Sequence, residues 1–157
     1  MDKQEFTQRV LAMENRLYRV SRSLLREPQD QMDAVQEAIA RAWERRENLR
    51  KPQLFEAWLT RILINACYDQ LRARKRVIPM EEIGEQIAPE SGDPELRDAL
   101  DALEKELRLP VALYYIEGYR IREVAKILEL PESTIKTRLA KARRKLRKQL
   151  DGEGERV

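Results

Sequence analysis

The sequence predicts an all-α protein: two small helical domains joined by an acidic flexible linker, the second containing a helix-turn-helix. Three observations carry that prediction. Apolar residues recur at spacings of three and four along most of the chain, the period of a helix face. The 157 residues are 42% hydrophobic and 38% charged with only 5 glycines, a composition suited to helices with one buried stripe and charged outer faces. Between residues 77 and 94 the periodicity gives way to three prolines, two glycines and a run of acids, which reads as a linker.

The elements follow in order. Phe6, Val10, Met13, Leu17, Val20 and Leu24 form one stripe, which predicts a single long first helix. Glu27-Pro28 ends it, because a residue before proline avoids helical angles. Met32, Val35, Ile39, Ala42 and Trp43 mark the inner face of a second helix, and the polar run Arg45 to Gln53, with Lys51-Pro52, reads as a loop. Phe55, Trp58, Leu59, Ile62, Ala66 and Leu71 mark a third long helix that ends in the basic run Arg72 to Arg76. Past the linker, Leu96, Leu100, Leu103 and Leu107 form another stripe, followed by an apolar segment, Val111 to Ile116, closed by Gly118. The expected division is a first domain over 1–76, a linker over 77–94, a second domain over 95–150 and a tail over 151–157.

Composition narrows the function classes. The chain has no histidine and one cysteine, Cys67, which removes the common zinc sets, the Ser-His-Asp arrangement and the Cys-His pair. No Gly-rich loop is present to cradle a phosphate. No metal, cofactor, small-molecule substrate or enzymatic activity is therefore expected. A lone cysteine fits a reducing compartment. No apolar run approaches the length of a membrane helix and no signal pattern opens the chain, so the expected location is cytoplasmic, without membrane insertion.

Charge is segregated. The net charge is only +3, yet residues 1–76 carry 16 bases against 11 acids. Val77 to Glu95 holds six acids (Glu81, Glu82, Glu85, Glu90, Asp93, Glu95) and no base. Glu132 to Leu150 holds eight bases (Lys136, Arg138, Lys141, Arg143, Arg144, Lys145, Arg147, Lys148) against one acid. Segregation of this kind points to a polyanionic partner.

The last stretch supplies the chemistry. Ile121, Val124, Ala125 and Leu128 define a short helix, Glu129-Leu130-Pro131 a turn, and Ile135, Leu139, Ala142, Leu146 and Leu150 one face of a longer helix. Pro131 suits the start of that helix, where a missing N–H is harmless. A short helix, a tight turn and a basic amphipathic helix is the arrangement that enters a DNA major groove. The competing reading, a merely solvated charged helix, sits poorly with so few balancing acids. Ser133, Lys136, Thr137 and Lys141 near the N-terminus are placed to reach base edges or phosphates, and Arg143, Arg144, Arg147 and Lys148 lie farther along.

These residues resemble a known family, the extracytoplasmic-function sigma factors of bacterial RNA polymerase. Leu113 to Gly118, Glu123-Val-Ala125, Leu128, Thr134 to Leu139 and Ala142-Arg143 look like its fourth conserved region. Asp33-Ala-Val-Gln36-Glu37, Ala42-Trp43, Phe55, Trp58-Leu59, Arg61-Ile62, Asn65, Asp69 and Leu71-Arg72 look like its second.

The resemblance implies a promoter-specificity factor that joins core RNA polymerase on promoter DNA, with an anti-sigma factor as a further partner. It implies minus-35 contacts from Ser133, Thr134, Lys136, Thr137, Arg138, Lys141 and Arg144. It implies minus-10 contacts from Asn48, Arg50, Lys51, Arg61 and Asn65, with Arg72, Arg74 and Lys75 on the backbone. It implies core-polymerase docking through Asp33, Gln36, Glu37 and Arg41, for which the plain alternative is an ordinary exposed helix face. Trp43 and Trp58 sit on apolar stripes and read as core before they read as base-stacking platforms. The acidic linker would occupy the cleft later taken by RNA, or serve as a simple tether. Departures from the family pattern are Glu129 where a glycine is frequent, Glu104 where a proline is common, and Met32 where a small acid often precedes the aspartate. Two rivals come from other classes: a stand-alone dimeric helix-turn-helix regulator, and an adaptor using Leu96–Leu107 as a coiled-coil seam, which two heptads make too short.

Overall fold

Asp2 accepts a hydrogen bond from the Glu5 N–H at 2.8 Å and so starts the first helix, α1, Lys3–Ala12. A computed structural model of the chain describes the backbone of residues 1–76 and 94–155, and the side chains of 1–73 and 98–151. The proposed linker, 77–94, therefore lies almost wholly outside the described residues. The chain divides into two units, Met1–Ile87 and Ala88–Val157.

In the first unit the single long helix expected at the N-terminus is two. Helix α2, Glu14–Leu24, begins after a break at Met13. There the backbone leaves helical angles and the Met13 N–H bonds the carbonyl of Val10, three residues back, at 3.1 Å. The tightening turns Met13 into the core, so the predicted stripe survives the break: Phe6, Val10, Met13, Leu17, Val20 and Leu24 are all buried. Helix α3, Pro28–Glu44, starts with Pro28 at its first position.

The inner face of α3 differs from the prediction. Gln31, Ala34, Val35, Ala38 and Ala42 are buried, whereas Met32 is 44% exposed and Ile39 and Trp43 are half-buried. The buried face is built from alanines, which let α3 pack closely on helix α4, Phe55–Arg76. Gln31 is tolerated inside because its Nε2 donates to the Leu25 carbonyl at 2.8 Å. The intervening polar run holds two short 3₁₀ turns, Arg46–Asn48 and Pro52–Leu54. Helix α4 is the axis of this unit. Phe55, Leu59, Ile62 and Ala66 are buried as predicted, together with Thr60, Leu63, Ile64 and Cys67. Burial pushes the Cys67 thiol up to about 12.

In the second unit the leucine stripe is split between α5, Pro94–Asp101, and α6, Lys105–Val111. Leu103 and Leu107 are buried and Leu100 is half-buried; the Leu96 side chain lies outside the described residues. Pro110 has no N–H to continue the ladder of α6, and directly after it Ala112–Ile116 forms a π-helical turn. Gly118 closes that turn at φ 79°, a left-handed conformation that favours glycine. Helix α7, Ile121–Leu128, and helix α8, Glu132–Glu155, then make the helix-turn-helix. Glu123 accepts from the Arg120 N–H at 3.0 Å at the start of α7. The turn between the helices passes through Glu129 at φ 57°.

Candidate nucleic-acid interface

Helix α8 is held by a narrow apolar stripe. Ile135, Leu139 and Ala142 are buried against α6 and α7, and Leu146 is half-buried. With 3.6 residues per turn, Ser133, Thr137, Arg144 and Lys148 point directly away from that stripe, and all four are exposed. Lys136 and Lys141 are exposed on the shoulders, while Thr134 and Arg138 are half-buried. Five of the seven residues assigned to minus-35 recognition thus stand exposed on the outward surface or its shoulders. Thr137 is held to its own helix, its Oγ1 donating to the Ser133 carbonyl at 2.9 Å.

Two of the remaining bases are tied back to the body of the unit. Lys145 Nζ donates to Glu104 Oε1 at 2.6 Å, and Arg143 Nη1 donates to the Tyr115 hydroxyl at 2.8 Å. The hydrogen bond from Lys145 and the charges of Lys145 and Lys141 hold the Glu104 carboxyl below its ordinary value. A cleft of about 330 Å³ runs along this flank, lined by Glu106, Leu107, Ser133, Thr134, Thr137, Arg138 and Lys141. The pairing of Glu104 with Lys145 joins residues 41 apart in sequence, and no local pattern announces it.

In the first unit, Arg61, Asn65 and Arg72 lie along one exposed face of α4, and Asn48, Arg50 and Lys51 are exposed in the preceding loop. The side chains of Arg74 and Lys75 fall outside the described residues. The loop is fastened to α1, since Arg9 Nη1 donates to the Pro52 carbonyl at 2.8 Å. Sequence reasoning gives Arg9 no role, and Asp69 only a place among the residues that resemble the second conserved region. Asp69 lies on the same face of α4 and takes Arg41 Nη2 at 2.8 Å on one oxygen and Arg72 on the other.

Asp33, Gln36 and Glu37 are exposed on α3, with Gln29 Nε2 donating to Asp33 at 2.9 Å. Arg41 is turned toward α4. Its hydrogen bond with Asp69, together with one to Glu37 at 3.1 Å, raises its pKa further. Beside this edge an apolar groove of about 390 Å³ runs between α1 and α3, lined by Phe6, Ile39, Ala40 and Trp43 among others. Trp43 and Trp58 are half-buried at the ends of a chain of rings: Trp43 is 5.1 Å from Phe6, Phe6 5.9 Å from Phe55, and Phe55 5.9 Å from Trp58. The Arg46 guanidinium sits 3.8 Å over the Trp43 ring, covering one of its faces.

Comparison with known proteins gives this geometry its context. Residues 10–77 match the family described as Sigma-70 region 2, and residues 94–146 match Sigma-70, region 4. The RNA polymerase sigma factor SigV of Bacillus subtilis is 30% identical over 141 residues, covering 87% of this chain and 85% of that protein. The ECF RNA polymerase sigma factor SigM of Mycobacterium tuberculosis is 31% identical over 150 residues, 92% of this chain and 76% of that one. The chain belongs to the ECF RNA polymerase sigma factors.

The fold agrees. The sigma factor RpoE of Bartonella quintana, solved with the anti-sigma factor NepR, superposes with a TM-score of 0.82 at 24% identity, covering 94% of this chain and 98% of that one. Because both halves match sigma-factor regions, this sigma factor is not favoured as a stand-alone dimeric regulator. Among the described residues no helix is long and apolar enough to cross a membrane.

Proposed function

We propose that this sigma factor holds a promoter at two places while joined to core RNA polymerase, and that it catalyses nothing itself. The observation that carries the reading is the outward face of α8, where Ser133, Lys136, Thr137, Lys141 and Arg144 stand exposed within a stretch matching Sigma-70, region 4. With Thr134 and Arg138 these residues contact the minus-35 duplex, the hydroxyls and the first lysines reaching base edges and the rest phosphates.

The first domain, residues 1–76, works on the minus-10 element. Asn48, Arg50, Lys51, Arg61 and Asn65 form an exposed polar and cationic track suited to an unpaired strand, with Arg72, Arg74 and Lys75 on its backbone. Asp33, Gln36, Glu37 and Arg41 form the edge that docks on core polymerase, and the apolar groove beside them offers surface to bury. The acidic segment 77–94 joins the two domains, and the tail follows residue 150. The site of action is the cytoplasm, where polymerase and promoter are. A relative of this fold is held by an anti-sigma factor, and we extend such a partner to this chain.

Run-off transcription with purified core polymerase on a promoter library tests the reading. Activity is expected only with core enzyme, and Lys136→Glu with Lys141→Glu should reduce it at least about tenfold, the effect of 1.4 kcal/mol of lost binding. Undiminished activity in the double variant would remove α8 from the minus-35 role.

A further inference from the structure

We propose that Glu104 acts as an internal competitor for duplex phosphate, holding Lys145 out of the DNA contact and confining the footprint of α8 to its other cations. The inference rests on the reading of α8 as a duplex-binding helix. Its basis is that the eight bases of α8 are not equivalent. Lys145 is bonded to Glu104 at 2.6 Å, and its side chain remains 44% exposed. Both partners are therefore at the surface, where the Glu104 carboxylate and a duplex phosphate are alternative acceptors for the same ammonium. Glu104 also lies within the field of Lys141, one turn earlier on the same flank. Glu106 continues the acidic edge, lining the cleft with Arg138 and Lys141.

On this flank the Lys145 ammonium already has a carboxylate partner, which a DNA phosphate would have to replace. The outward face and the opposite shoulder, by contrast, carry Lys136, Arg144 and Lys148, and between Glu132 and Leu150 the helix has no other acid. Glu104 thus sets the number of phosphates that α8 neutralises. Arg143 differs in kind, since its partner, the Tyr115 hydroxyl, is neutral and leaves the guanidinium charge available to DNA.

Each phosphate neutralised on B-DNA contributes about −0.9 to the slope of log affinity against log salt, so the count can be measured. The test uses the full-length chain and a short labelled duplex of random sequence, titrated at several salt concentrations. Glu104→Gln should steepen the slope by about 0.9, which makes the affinity lost between about 50 and 200 mM salt roughly 3.5-fold larger. Lys145→Gln alone should leave the wild-type slope unchanged, and the Glu104→Gln, Lys145→Gln double variant should return to it.

A Glu104→Gln slope equal to wild type, or a gain that persists in the double variant, overturns the proposal. So does an affinity loss of equal size at every salt concentration, the mark of a carboxylate that only positions α8. If wild type and variants alike bind duplex with no salt dependence, the duplex reading of α8 fails as well.

Discussion

The two long helices α4 and α8, which carry 13 of the chain's 31 lysines and arginines, solve the same problem of presenting positive charge in opposite ways. Helix α4 is embedded. Phe55, Leu59, Thr60, Ile62, Leu63, Ile64, Ala66 and Cys67 are buried, so little of its circumference is left for Arg61, Asn65 and Arg72. An acid, Asp69, stands among those cations and holds Arg72 and Arg41 together. Helix α8 buries only the stripe Ile135, Leu139 and Ala142 and leaves most of its surface to the bases. Among the described residues, an acidic partner for its bases, Glu104, comes from outside the helix.

The difference teaches what each surface suits. A narrow face whose side chains are fixed by a packed helix and a shared carboxylate can hold groups in a set geometry, as capture of single bases requires. A broad cationic face serves a duplex, whose charge repeats along both strands.

The comparison can be broken most severely at the core. Leu63 is fully buried in α4, and Leu63→Ala should destabilise the first unit by about 2 to 5 kcal/mol, read by denaturant unfolding. A loss under about 1 kcal/mol would contradict the embedded role of α4.

Asp69→Asn comes next. It leaves Arg41 and Arg72 without their shared carboxylate, and because Asp69 is itself 42% exposed the expected loss is about 1 kcal/mol at most. The sharper readout is functional: minus-10 opening should weaken more than minus-35 protection.

Glu129→Gly works in the other direction. Glu129 holds a left-handed conformation at the turn before α8 that costs a non-glycine residue about 1 kcal/mol, so the substitution should raise stability by up to that amount in thermal unfolding.

The smallest effect is in pH. The folded-state pKa of Glu104 is lowered by Lys145, so the contribution of the pair is present above the ordinary glutamate range, about 4.3, and is lost as pH falls through the lower folded value. A difference in melting temperature between wild type and Glu104→Gln at neutral pH should vanish in acid. A difference that persists there would mean that the carboxylate acts by packing.

Much of this was legible from residue order. The stripe from Phe6 to Leu24 is buried residue by residue, because hydrophobic spacing reports a face whether or not the helix beneath it is continuous. The break at Met13 was not legible, since both halves keep the same spacing. The face of α3 was misjudged because alanine weighs little in a hydrophobic pattern, while close helix packing favours it. Met32 ended up outside and Ala34 and Ala38 inside.

The candidate site shows the same limit. The cations of α8 are a local run and announce themselves, as does Gly118 at the end of the π-helical turn. Asp69 and Glu104 act on partners 28 and 41 residues away, and only the packing of α3 on α4 and of α6 on α8 brings them together.

The central claim, that the chain grips a promoter at two places and only together with polymerase, is tested most directly by chemical footprinting of one promoter with and without core enzyme. Minus-35 protection and reactive unpaired bases at minus-10 are expected only when core enzyme is present. Arg61→Glu with Asn65→Ala should abolish the unpaired bases and spare the minus-35 protection. A clear footprint from the chain alone, or a loss of both signals together in that variant, would contradict it.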